Sequence, residues 1–206
     1  QVLGGANPDA SRWPFVTLNN FENIAKNLID TSKGCRMAFA PLVQPDQLQD
    51  FEDFAYDYYQ HSRMPDPFPN GTALTASFGK GVWAMDAEQI QYHDTQGTTG
   101  WGSPNELLVP MFHHSEGAIP KLLMNLHFHP MMGKMIDDMI ICAQDKASFG
   151  GSLDDCATIS PMAPDTTSWV QNVESGPGST ILQPIYPAND PTKVSHYFLS
   201  SACTLY

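Results

Sequence analysis

Positive charge is scarce in this chain of 206 residues: 10 Lys and Arg stand against 22 Asp and Glu, a formal net charge of −12. That scarcity argues against nucleic acid as a partner, because phosphate recognition needs clustered cations. It also disfavours attraction to an anionic membrane surface. No apolar run approaches the ~20 residues that cross a bilayer. No basic start followed by an apolar stretch is visible, so any secretory leader is expected to have been removed. Signatures of catalysis are missing as well. The nearest approach to Gly-x-Ser-x-Gly is Gly100-Trp101-Gly102-Ser103-Pro104, which lacks the last glycine. There is no His-Glu-x-x-His, no lysine after Gly150-Gly151 to complete a phosphate loop, and no oxygen-rich calcium loop. No cofactor is expected.

What remains is a globular composition, 42% hydrophobic and 11% aromatic. The length suits one domain over 1–206, with two smaller lobes at about 13–112 and 113–206 as the alternative. The four cysteines are Cys35, Cys142, Cys156 and Cys203. They allow three pairings, which sequence does not separate. Cys142 and Cys156 flank a Gly-Gly-Ser loop, which favours a local bridge and leaves Cys35 with Cys203. Asn70-Gly71-Thr72 is a glycosylation sequon among Pro65, Pro67 and Pro69. Sequon and even cysteine count together point to an oxidising, extracellular or cell-surface compartment.

Along the chain, Phe21, Ile24, Leu28 and Ile29 share one helical face, with Asn20 as the cap. Met37 to Val43 is a buried strand. Pro45 opens a second helix with Leu48, Phe51, Ala55 and Tyr58 or Tyr59 inward and Asp46, Asp50, Asp53 and Asp57 outward. Thr72 to Phe78 and Gly81 to Met85 read as two strands across a glycine turn, followed by a loop from Gln91 to Pro104. Leu107 to Phe112 is a short apolar strand. Lys121 to Phe128 and Met131 to Ala143 read as helices broken at Pro130. In the second of these, Met135, Ile136, Met139 and Ile140 form the inward stripe. Ser148 to Pro177 reads as loop, and strands at Thr180 to Tyr186 and Ser195 to Ala202 close the chain. The pattern is α+β, an antiparallel sheet flanked by helices.

His127-Phe128-His129 is the most chemical-looking stretch, and His127 and His129 are the nearest thing to a metal pair. Helical spacing there points the two imidazoles apart, so no metal is expected. Asp137-Asp138 and Asp154-Asp155 read as solvated surface. Trp83, Tyr92, Trp101 and Trp169 lie in or beside loops, where aromatics line pockets or simply fill the core. With Asp86, His93 and Asn105 around them, Trp83, Tyr92 and Trp101 form the expected binding surface, a pocket lined from Val82 to Met85 and from Tyr92 to Trp101.

Several patches carry a family likeness. Trp13-Pro14-Phe15-Val16-Thr17-Leu18 with Phe21-Glu22, then Phe39-Ala40-Pro41-Leu42-Val43, the acidic aromatic helix from Asp50 to Tyr59, Trp101-Gly102-Ser103-Pro104, the run from Leu107, and Ile181-Leu182-Gln183-Pro184-Ile185-Tyr186 resemble, in order, the extracellular regions of receptor-type nucleotide cyclases of diatoms and related microalgae. The resemblance implies a CHASE-like sensor with PAS-like lobes, held outside the membrane by flanking segments. Binding of a small molecule or peptide would shift a dimer between two states. The chain departs from that pattern at its end, where Ser195 to Tyr206 runs through Cys203. Two functions are therefore carried forward. One is a non-catalytic ligand-binding ectodomain. The other is a secreted structural or adhesive glycoprotein that forms homodimers or larger homo-oligomers. A metal-dependent hydrolase is a distant third.

Overall fold

The computed structural model describes residues 13–18, 20–32, 36–61, 81–86, 89–92, 107–114, 122–128, 130–150, 152–160, 178–184 and 197–204. The fold is a mixture of helices and antiparallel strands. Helix α1 (Phe21–Ser32) leads into β1 (Arg36–Pro41). A 3-10 turn (Pro45–Gln47) then starts α2 (Leu48–His61). The hairpin β2 (Trp83–Asp86) and β3 (Gln89–Tyr92) forms a sheet of its own. Strand β4 (His113–His114), α3 (Pro130–Phe149), β5 (Thr158–Ile159), β6 (Gly178–Pro184) and β7 (Tyr197–Thr204) follow.

The main sheet has the order β4-β1-β7-β6-β5, every neighbour antiparallel. Its centre is the pairing of β1 with β7, from Arg36 opposite Ala202 to Pro41 opposite Tyr197. Chain from both sides of residue 112 therefore enters one sheet.

Residues 37–43 explain why this sheet is covered twice. Met37, Phe39 and Val43 point to one face, Ala38, Ala40 and Leu42 to the other, and all six are buried. Two-residue periodicity with no polar residue on either side leaves no face for water. The first face receives α1 through Phe21 and Ala25, and α2 through Leu48, Phe51 and Ala55. The second receives α3 through Met132, Met135, Ile136 and Met139. The acids Asp46, Asp50, Asp53 and Asp57 lie on the solvent side of α2, as the helical spacing requires.

Several expectations are corrected. Gln91 and Tyr92, which read as the start of a loop, belong to β3 and pair with β2; the expected strand from Thr72 to Phe78, with its glycine turn, lies outside the described residues. Leu107 to Phe112 is extended but joins its neighbours through isolated bridges, Val43 with Leu108 and Pro110 with Asn125. Residues 122–125 are not helical. Leu123 has φ 62°, and only Leu126–Phe128 coils, as a 3-10 turn. The reason is tertiary. Leu123 N–H donates to Met111 O, Asn125 N–H to Trp83 O and Leu126 N–H to Val109 O. Those bonds replace the helical ladder while satisfying the same groups. Pro130 is the first residue of α3, where its missing N–H costs nothing, and α3 continues past Ala143 to Phe149.

Candidate functional site

The strongest polar feature in the described interior lies where α2 meets the start of β2. Leu48, Phe51 and Ala55 turn α2 towards the sheet. Glu52 sits one position past Phe51, at the margin of that apolar stripe, and is half-buried. Val82 N–H donates to Glu52 Oε1 at 2.7 Å, and Gly81 N–H donates to Tyr56 Oη one turn further along. Gly81 has φ +112°, and a Cβ there would lie 2.6 Å from Glu52 Oε1. Only glycine adopts that conformation cheaply and leaves room for the carboxyl.

Burial raises the Glu52 pKa from 4.5 to about 7; the Val82 hydrogen bond opposes the rise and the neighbouring Asp53 charge adds to it. Seven residues beyond Glu52 on the same helix, Tyr59 donates its hydroxyl to Phe112 O at 2.8 Å. Enclosure of that hydroxyl, with Tyr58 and Tyr56 close by, pushes its pKa well above 10.

Trp83 continues the anchor. Its indole Nε1–H donates to Leu122 O at 2.8 Å, its backbone N–H to Leu123 O at 3.1 Å, and its carbonyl accepts from Asn125 N–H at 2.7 Å. Asn125 in turn accepts Val109 N–H and His127 N–H on its side-chain oxygen. At 3% exposure, Trp83 is a wall of the core, and Val82 and Ala84 beside it are buried as well.

The buried His113 lies nearby on the aromatic face, among Phe21, Phe39, Tyr58 and Phe112, with ring centroids 4.5 to 6.0 Å apart. Its Nε2 accepts Leu18 N–H at 3.2 Å, which places the proton of the neutral ring on Nδ1. That bond ties the segment carrying Trp13 and Val16 to the sheet.

Of the expected binding surface, Trp83 stands opposite Tyr92, and Asp86 opposite Gln89, across the hairpin. His93, Trp101 and Asn105 lie outside the described residues, as do Asn70, Cys35 and His129. Cys142 and Cys156 form a disulfide with Cα atoms 5.7 Å apart. His127 Nε2 lies 2.9 Å from Asp137 Oδ1 and closes the 3-10 turn onto α3. Asp138 pairs with Lys134 and Asp155 with Lys146. Among the described residues no group of three or more His, Cys, Asp or Glu is arranged to hold a metal ion, and no helix is long and apolar enough to cross a membrane.

No family model matches the chain, and no curated protein does. The reading of the site therefore rests on its geometry.

Glu52, Tyr56 and Gly81 escaped the sequence reading, although one signal was present. The acids of α2 fall outward at 46, 50, 53 and 57, whereas position 52 follows the inward series 48, 55 and 59 at helical spacing. An acid out of step with its own charged face is a candidate for a polar contact inside. What position 52 touches was not legible, because its partners lie about thirty residues away in sequence.

Proposed function

We propose that this chain is a ligand-binding sensor of the cell exterior, similar to the ectodomains of receptor-type nucleotide cyclases, which performs no chemistry itself. One observation carries the reading. The β2–β3 hairpin is joined to the core at its first residues, Gly81, Val82 and Trp83, through hydrogen bonds to α2 and to residues 122–125. A ligand that grips the hairpin pulls on α2, and α2 packs on the face of β1. Strand β1 lies beside β7, so the displacement reaches both. This is the mechanical path a sensor needs, with one recognition element and two adjacent output strands. The Cys142–Cys156 bridge supports an oxidising compartment. In the receptor, flanking segments outside this fold would supply the membrane contact.

The test is a thermal-shift screen with metabolites and short peptides, read together with tryptophan fluorescence. A binder raises the melting temperature by mass action and changes emission from Trp83. The absence of any stabilising compound across a broad library counts against the reading.

A second reading, self-assembly as a secreted structural glycoprotein, is favoured by one feature. Ile159 and Ile181 face each other across β5 and β6 at the sheet edge, 67% and 38% exposed. Exposed apolar pairs on an edge invite strand-to-strand association. Light scattering at high concentration decides: a persistent monomer removes this reading.

A further inference from the structure

We infer that Glu52 is a proton-operated clasp between α2 and the β2–β3 hairpin: protonated, it holds the start of β2 against the helix, and ionised, it favours release of that segment into water. This goes beyond the sensor reading and does not depend on it.

The geometry supplies both halves of such a device. The moving part is short and fastened to α2 by two hydrogen bonds: Val82 N–H bonds to Glu52 Oε1 at 2.7 Å, and Gly81 N–H bonds to the Tyr56 hydroxyl. The fit is close, since Gly81 has room for no side chain against the carboxyl. The proton-sensing part is a half-buried carboxyl, and among the described residues no cation balances it. Helix α2 carries no Lys or Arg between Leu48 and His61. From its own helix the neighbouring titratable groups are Asp53, whose charge repels it, and Tyr56, whose hydroxyl accepts the adjoining Gly81 N–H. Gly81, Val82 and Trp83 bring no titratable side chain, and neither does Leu122, which packs on Tyr56 and Tyr59. Among the described residues, a single backbone N–H is the main stabiliser of the ionised form.

Desolvation penalises the carboxylate only while the hairpin covers it. The ionised carboxyl therefore gains more from opening than the neutral acid does, and the acid keeps a carbonyl oxygen to accept Val82 N–H. Proton binding and closure are linked: whichever occurs first favours the other.

The experiment is amide hydrogen exchange by nuclear magnetic resonance on the whole chain between pH 5 and 8.5, expressed as protection factors so that intrinsic exchange chemistry divides out. Protection at Gly81 and Val82 is expected to fall by about tenfold or more over that range, while Ile136 and Met139 in α3 change much less. Glu52→Gln keeps an oxygen acceptor and removes the titration, so its protection at Val82 is expected to be flat with pH. Wild-type protection that ignores pH overturns the clasp. So does an equal loss at Ile136, which would place the effect on global stability, or an unchanged slope in Glu52→Gln. If that variant does not fold, the carboxyl carbon resonance of Glu52 in the unaltered chain decides: titration in step with Val82 protection supports the clasp, and titration near 4.5 removes it.

Discussion

The two faces of the main sheet are built from different materials. The face under α1 and α2 is aromatic: Trp13, Phe21, Phe39, Phe51 and Phe112 meet there, several edge-to-face, with centroids 5.7 to 6.2 Å apart for the Trp13–Phe39 and Phe51–Phe112 pairs. The face under α3 is aliphatic and methionine-rich, with Ala38 and Ala40 of β1 beneath Met132, Met135, Ile136 and Met139. Large rings leave gaps at their edges that polar groups can occupy, and the aromatic face holds His113, Glu52 and Tyr59. Small residues and flexible methionines pack without such gaps. That face is fixed by a close backbone approach at Gly133 and by the Cys142–Cys156 bridge. The adjustable chemistry thus sits on one side of the sheet and the rigid fastening on the other.

The largest test of this contrast empties each face in turn. Phe39→Ala is expected to cost about 4 kcal/mol and Met139→Ala about 3 kcal/mol, measured by denaturant unfolding. Equal losses would mean that the ring cluster adds nothing beyond its area. Removing the disulfide by Cys142→Ala with Cys156→Ala is expected to cost about 3 kcal/mol, from the fourteen-residue separation of the cysteines. Gly133→Ala is expected to cost about 2 kcal/mol, since the new Cβ would press on the His127 carbonyl oxygen, a backbone atom that cannot swing aside.

Stability should depend on pH through the aromatic face. Because the folded pKa of Glu52, about 7, lies above its unfolded value of 4.5, the folded chain binds the proton more tightly. The stability this confers is complete below pH 4.5 and is lost as pH rises to about 7. The loss attributable to Glu52 is between about 1 and 2 kcal/mol once screening of the partly exposed carboxyl is allowed for. It is the difference between wild type and Glu52→Gln in melting curves across that window. The smallest effect belongs to the surface of α3: Lys134→Ala breaks the exposed pair with Asp138 and is expected to cost about 0.4 kcal/mol.

The secondary elements were largely legible where local geometry alone governs them. The strand at residues 37–43, the inward and outward faces of α2 and the methionine stripe of α3 follow from periods of two and 3.6 residues. The local Cys142–Cys156 bridge was legible too, from the Gly150-Gly151-Ser152 stretch that the two cysteines flank. Residues 122–128 misled because Leu122, Leu123 and Leu126 have helical spacing while their backbone groups are taken by Trp83, Val109 and Met111. No local pattern reports a hydrogen bond to a strand forty residues away. Gly81 read as the start of a strand, and nothing local showed that its positive φ serves the approach to Glu52.

The sequence by itself determined which residues coil, which extend and which side of each element seeks cover, because those properties depend on neighbours a few bonds away. The tertiary structure decided that β1 and β7 lie side by side, that residues 122–125 leave their helical pattern, and that one carboxyl among many on α2 is drawn half out of water. Those outcomes depend on which distant segments meet, and the free energy of burying a polar group exists only once the cover is in place.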